Sequence, residues 1–115
     1  MHDSLCCMRV IDTQLRKGVI EPCILGLLSK EPLYGWRLAE ELTATGLIAS
    51  IGTLYPVLTR MRSKGLIEVF TEAGQPGPVR KYYRLTKHGA QELKRFNAQW
   101  PTFVDAVSSL TGMTP

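Results

Sequence analysis

Apolar positions along this chain recur with different periods, and each period marks off an element. From Val19 to Leu28 the run Val-Ile-Glu-Pro-Cys-Ile-Leu-Gly-Leu-Leu is apolar on nearly every side. That pattern predicts a buried first helix, with Pro22 tolerated in the opening turn, where its missing N–H leaves no bond unmade. Ser29 to Leu33 contains Pro32 and reads as a break. A second helix is expected from Tyr34, with Gly35, Leu38, Ala39 and Leu42 on one face and Gly46 as its stop. Ser50 is a candidate N-cap for a third helix, in which Ile51, Leu54, Leu58 and Met61 are spaced three, four and three and form a single stripe. Gly65 closes it. Two helices joined by a short glycine-containing turn match the helix-turn-helix pattern.

Beyond Gly65 the period drops to about two. Ile67, Val69 and Thr71 alternate with Glu68, Phe70 and Glu72, and Lys81, Tyr83 and Leu85 alternate with Arg80, Tyr82 and Arg84. The intervening Ala73 to Val79 holds two glycines and two prolines, which continue neither strand, so it is expected to be the tip of a β-hairpin. Such a hairpin either closes the core or forms a basic-rimmed wing, and its position directly after a helix-turn-helix favours the wing. From Thr86, a good N-cap, a helix is expected to about Leu110, with Leu93, Phe96, Trp100, Phe103, Val107 and Leu110 in a heptad-like seam. A helix of about 25 residues reaches on the order of 37 Å. That is more than so small a domain covers, so the outer seam calls for a partner chain. Pro101 is expected to kink this helix through the lost bond to the Asn97 carbonyl, unless one helix ends at Trp100 and another begins at Pro101. The N-terminal residues show no clean period and are a frayed arm or a short leading helix. The expected architecture is mainly α with a small β-hairpin: arm 1–14, winged helix-turn-helix 15–85, C-terminal dimerisation helix 86–115.

Composition changes this picture little. At 115 residues and 44% hydrophobic content, one modest core is expected. Charge changes it more. The net +4 divides into nine Lys or Arg against three Glu over residues 50–95, and five against seven elsewhere. The difference, +6 against −2, argues for an anionic partner of one region. No apolar run approaches the roughly 20 residues that span a bilayer, and Leu5 to Val10 is too short and interrupted for a signal segment. The expected location is cytoplasmic, with no membrane partner. Cys6, Cys7 and Cys23 are odd in number and include an adjacent pair, so they do not form a disulfide framework. They are structural, or else Cys6 and Cys7 form a metal or redox sensor. Without Cys/His ligand spacing, no metal and no cofactor are expected. No nucleophile and base, phosphate loop or paired carboxylate stands out, so no catalytic residue is assigned.

The third helix carries the candidate chemistry. Opposite its stripe lie Thr53, Tyr55, Pro56, Thr59, Arg60 and Ser63, and residues 50–65 contain three basic side chains and no acidic one. A face of hydroxyls, one aromatic and arginines suits a helix lying in a DNA major groove, and it also suits a solvated surface helix.

Four motifs in order then carry a family resemblance: Leu33-Tyr34-Gly35, Gly52-Thr53-Leu54-Tyr55-Pro56, Lys64-Gly65-Leu66-Ile67, and Arg80-Lys81-Tyr82-Tyr83-Arg84-Leu85-Thr86. Over about residues 18–111 the sequence resembles the PadR family of winged-helix transcriptional regulators, in the form with a single C-terminal helix. The resemblance implies a homodimer joined through that helix and helix one, and a double-stranded DNA operator with dyad symmetry. It also implies repression relieved by a small-molecule effector. The alternative is a ligand-sensing or protein-interaction module that uses the winged helix without DNA. The candidate DNA-contacting set is Tyr34, Ser50, Gly52, Thr53, Tyr55, Pro56, Thr59, Arg60, Arg80, Lys81 and Tyr82. Trp100 resembles the tryptophan on which some members of the family stack planar aromatic ligands. Phe96, Trp100 and Phe103 are therefore candidate effector positions, although a tryptophan in a seam also serves as dimer core.

Overall fold

The computed structural model describes residues 11–72 and 80–113. A four-residue helix α1 (Thr13–Arg16) is capped by Asp12, whose carboxylate accepts from the Gln14 N–H at 2.9 Å. It spans the boundary expected at 14. The apolar run forms α2 (Ile20–Leu28), which buries Ile20, Ile24, Leu25 and Leu28. Two helices follow, α3 (Gly35–Ala44) and α4 (Ile51–Ser63). The stripe expected of α3, Gly35, Leu38, Ala39 and Leu42, is its buried set; of the α4 stripe Leu54, Leu58 and Met61 are buried, and Ile51, in the first turn, is only partly covered. Gly46 and Gly65 end them at φ 80° and 76°, a left-handed backbone that a Cβ disfavours. Ser50 occupies the N-cap position of α4 but makes no side-chain cap bond.

The hairpin strands are β2 (Ile67–Thr71) and β3 (Lys81–Leu85), paired antiparallel with Ile67 opposite Leu85 and Thr71 opposite Lys81. The expected hairpin tip, 73–79, lies outside the described residues. A strand not expected from the sequence, β1 (Leu33–Tyr34), pairs with β3 and gives a three-stranded sheet in the order β1-β3-β2. Leu33 and Tyr34 therefore do not open the second helix. They are extended, and α3 begins at Gly35.

Helix α5 (Lys87–Thr111) runs as one 25-residue helix through Pro101, so the two-helix reading is excluded. Its first turn is locked to the end of α4. The Thr86 hydroxyl donates to the Gly65 carbonyl (2.6 Å) and accepts from the Gly89 N–H (3.0 Å), while the Thr86 N–H donates to the Leu66 carbonyl (3.1 Å). Gly89 is glycine for a steric reason: a Cβ there would lie inside contact distance of the Leu66 carbonyl oxygen. One core, gathered from α2, α3, α4, the sheet and Leu93 of α5, holds this winged helix-turn-helix together. The rest of α5 extends beyond it, and the molecule is 54 Å in its longest dimension.

Candidate nucleic-acid interface

The outward face of α4 follows from its inward one. With Leu54, Leu58 and Met61 buried, the side chains of Thr53, Tyr55, Pro56, Thr59, Arg60 and Ser63 are all exposed. The Thr53 hydroxyl donates to the Ser50 carbonyl at 2.7 Å, which leaves its methyl and remaining acceptor capacity outward. Pro56 lacks the N–H that would bond the Gly52 carbonyl, so that helical bond is missing from an exposed turn. Tyr55 lies against the start of α3. A Cβ added at Gly35 would stand 3.2 Å from the Tyr55 hydroxyl oxygen, closer than an unstrained contact. The glycine of the first motif thus makes room for the tyrosine of the second, and the pair sets where that phenol points.

At the base of the wing, aromatic rings hold the cations. The Arg80 guanidinium lies over the Tyr34 ring, 4.8 Å from its centroid. Tyr34 meets Tyr82 edge-on at 5.7 Å, and Tyr82 stacks on Phe70 at 5.7 Å. Tyr34 and Tyr82 are half-buried, so both act more as supports than as exposed contact groups. Arg84 differs from Arg80 in being neutralised, since its Nε donates to Glu68 at 2.9 Å. Between α3, Tyr55 and the wing lies an open cleft of about 650 Å³, lined among others by Tyr34, Trp36, Tyr55, Arg80 and Lys81. Trp36 stands 58% exposed beside it. Tyr83 also lines the cleft, where burial raises its phenol above its ordinary range; the neighbouring Tyr55 adds to this and Arg62 opposes it.

The two flanks of α4 differ in charge. Arg60 and Lys64 turn toward α2, where Glu21 accepts from Arg60 Nε at 2.8 Å and from Lys64 Nζ at 3.1 Å. Partial burial alone would raise the Glu21 pKa, but the hydrogen bonds and charges of Arg60 and Lys64 outweigh it, and the carboxyl titrates below the ordinary value. Arg62, on the other flank, makes no ion pair among the described residues.

A second feature lies along α5. Phe96, Trp100 and Phe103 form a ladder of near-parallel rings, 5.3 and 5.8 Å between centroids. With Leu15, Val19 and Val107 they border an open, mostly apolar groove of about 1060 Å³.

A sequence model of the transcriptional regulator PadR-like family matches residues 24–95. The chain belongs to that family. Solved structures agree. A PadR-like transcriptional regulator from Bacillus cereus is 39% identical, with 85% of this chain and 96% of that one covered and a TM-score of 0.77. A PadR family regulator from Eggerthella lenta is 35% identical over 88% of each chain, with a TM-score of 0.74. The Bacillus subtilis PadR in complex with operator DNA is 30% identical, TM-score 0.60, over 68% of this chain and 45% of that longer one.

Within this PadR-like fold, Tyr34, Tyr55, Arg80 and Lys81 meet at one cleft, and Ser50, Gly52, Thr53, Pro56 and Thr59 lie on the exposed side of α4. Tyr82 does not line the cleft but packs between Tyr34 and Phe70. Arg60, itself exposed, pairs with Glu21 on the α2 flank. Sequence reasoning passed over Trp36 and Arg62. A tryptophan off the buried stripe of α3 was the available signal for the first; for the second it was a basic residue on α4 besides Arg60. The described residues contain no group of three or more His, Cys, Asp or Glu placed to hold a metal, and no helix long and apolar enough to cross a membrane. Cys23 is half-buried, and burial raises its thiol pKa; Cys6 and Cys7 lie outside the described residues.

Proposed function

We propose that this PadR-like regulator binds operator DNA as a homodimer, with α4 in the major groove and the wing on the adjacent backbone, and that it represses transcription until an effector binds. The observation that carries the DNA reading is the surface of α4 and β3, where Tyr55 and the cations Arg80 and Lys81 border one cleft and the exposed hydroxyls of Ser50, Thr53 and Thr59 continue along the same helix. Hydroxyl and phenol groups suit base edges and thymine methyls, whereas Arg80 and Lys81 suit phosphates. The operator-bound Bacillus subtilis PadR supports the same reading.

The dimer reading is supported by the outer half of α5. Trp100, Phe103, Val107 and Leu110, with Leu15 of α1, are large apolar side chains left exposed on one chain, a patch that soluble monomers rarely carry. A second copy with the same patch covers it symmetrically. Within such a dimer the Phe96–Trp100–Phe103 ladder offers flat faces to a planar aromatic effector. Genomic fragments recovered with purified protein supply the operator, and light scattering of the complex should give two copies of the 12.8 kDa chain per site. Recovery of no enriched sequence overturns the proposal. Titration of planar compounds against the Trp100 fluorescence of a Trp36→Phe protein tests the effector.

A further inference from the structure

Apart from Arg84, which is neutralised by Glu68 within the wing, the described basic residues of α4, its C-cap and the start of β3 fall into two sets by what holds them. Arg62, Arg80 and Lys81, on the sheet side of α4, make no ion pair among the described residues. Arg60 and Lys64, one helical turn apart on the opposite flank, converge on a single carboxylate, that of Glu21. We propose that Glu21 limits the affinity of the DNA-binding surface, holding Arg60 and Lys64 back from the phosphate backbone so that sequence-independent attraction comes from the sheet side alone. This rests on the DNA reading given above.

Three features make the hold durable. Glu21 lies in the first turn of a core helix beside buried Ile20, and its side chain is 20% exposed against 51% for each partner, so it does not swing away to release them. Lys64 Nζ is within 3.4 Å of both carboxylate oxygens. A phosphate that captured both cations would leave a largely covered carboxylate without partners, a cost that is absent while Glu21 keeps them. The trio carries one net positive charge, where two free cations would carry two. Because every phosphate contact adds sequence-independent affinity, withholding two of them lowers the affinity for operator and random DNA by about the same factor and so shortens the time the protein is held on either.

Glu21→Gln keeps the shape of the side chain and removes the charge. On a short random-sequence duplex it should raise affinity about tenfold at low salt and steepen the dependence of log affinity on log salt by between about one and two units. The operator should gain by about the same factor, because phosphate contacts carry no sequence information. The double substitution Arg60→Gln/Lys64→Gln in the otherwise native chain should leave the native salt slope within about half a unit, and added to Glu21→Gln it should cancel the gain. An unchanged or shallower slope in Glu21→Gln overturns the proposal. So does a flattening of about two units in the Arg60→Gln/Lys64→Gln protein, since both cations would then already lie on phosphates; this second variant does not depend on Glu21→Gln folding. If the native protein shows no salt-dependent DNA binding at all, the DNA reading itself fails, an outcome distinct from a native protein that binds and a Glu21 variant that changes nothing.

Discussion

Leu58 and Phe103 each sit on the apolar stripe of a helix, yet Leu58 is 1% exposed and Phe103 58%. The stripe of α4 is covered by α2, α3 and the sheet of the same chain, whereas the stripe of α5 is covered only near Leu93 and runs out of neighbours beyond it. Identical sequence logic therefore has two thermodynamic meanings. Covering α4 is a unimolecular event and stabilises the fold at any concentration. Covering the outer half of α5 requires another molecule, so its contribution grows with concentration.

Gly89→Ala breaks this contrast most severely, because the new methyl collides with the Leu66 backbone and forces α5 off the winged core. A loss of about 4 kcal/mol or more is expected by chemical denaturation, the scale at which small domains fail to fold. Leu58→Ala, in the covered half, should cost about 2–5 kcal/mol and lower the melting temperature equally at all protein concentrations. Phe103→Ala, in the open half, should cost a dilute sample under about 0.5 kcal/mol, as exposed positions do. It should also weaken self-association measurably by sedimentation. Equal losses for Phe103→Ala at low and high concentration would show that the outer helix has no partner. The smallest effect concerns Glu21. Its folded pKa lies below the ordinary carboxyl value, so its stabilisation is fully present above about pH 4.3 and disappears as pH falls through the depressed pKa. Since Arg60 and Lys64 are half exposed, solvent screening keeps this well under about 1 kcal/mol. Glu21→Gln should remove that acid-side change from a pH–stability profile.

Much of the fold was legible because its helices have a single period: the α3 stripe Gly35, Leu38, Ala39 and Leu42 is the buried set. β1 was not legible. Two residues between Pro32 and Gly35 carry no alternation, and Leu33 and Tyr34 are extended because β3, about fifty positions later, offers them hydrogen bonds. Pro101 misled in one of its two readings, for α5 continues through it. At the interface, the Tyr55–Gly35 contact gives a physical reason for two motifs that sequence could only match. The Glu21 clamp was hidden by sequence separation: it joins positions 39 and 43 apart, and summing charge along the chain placed Glu21 in the acidic remainder and its two partners in the basic segment.

The junction at Thr86 has a mechanical consequence. Leu85 ends β3 and Lys87 begins α5, with Thr86 bonded to both Gly65 and Leu66 and Gly89 pressed against the same backbone. No slack remains there, so α5 works as a rigid arm whose near end carries both the wing and the tail of α4. In a dimer joined at the far end, an arm of about 37 Å tilted by about 5° displaces the reading head by ~3 Å. That is roughly one base-pair step along a duplex whose successive half-sites are about 34–36 Å apart, enough to put one subunit out of register while the other stays seated.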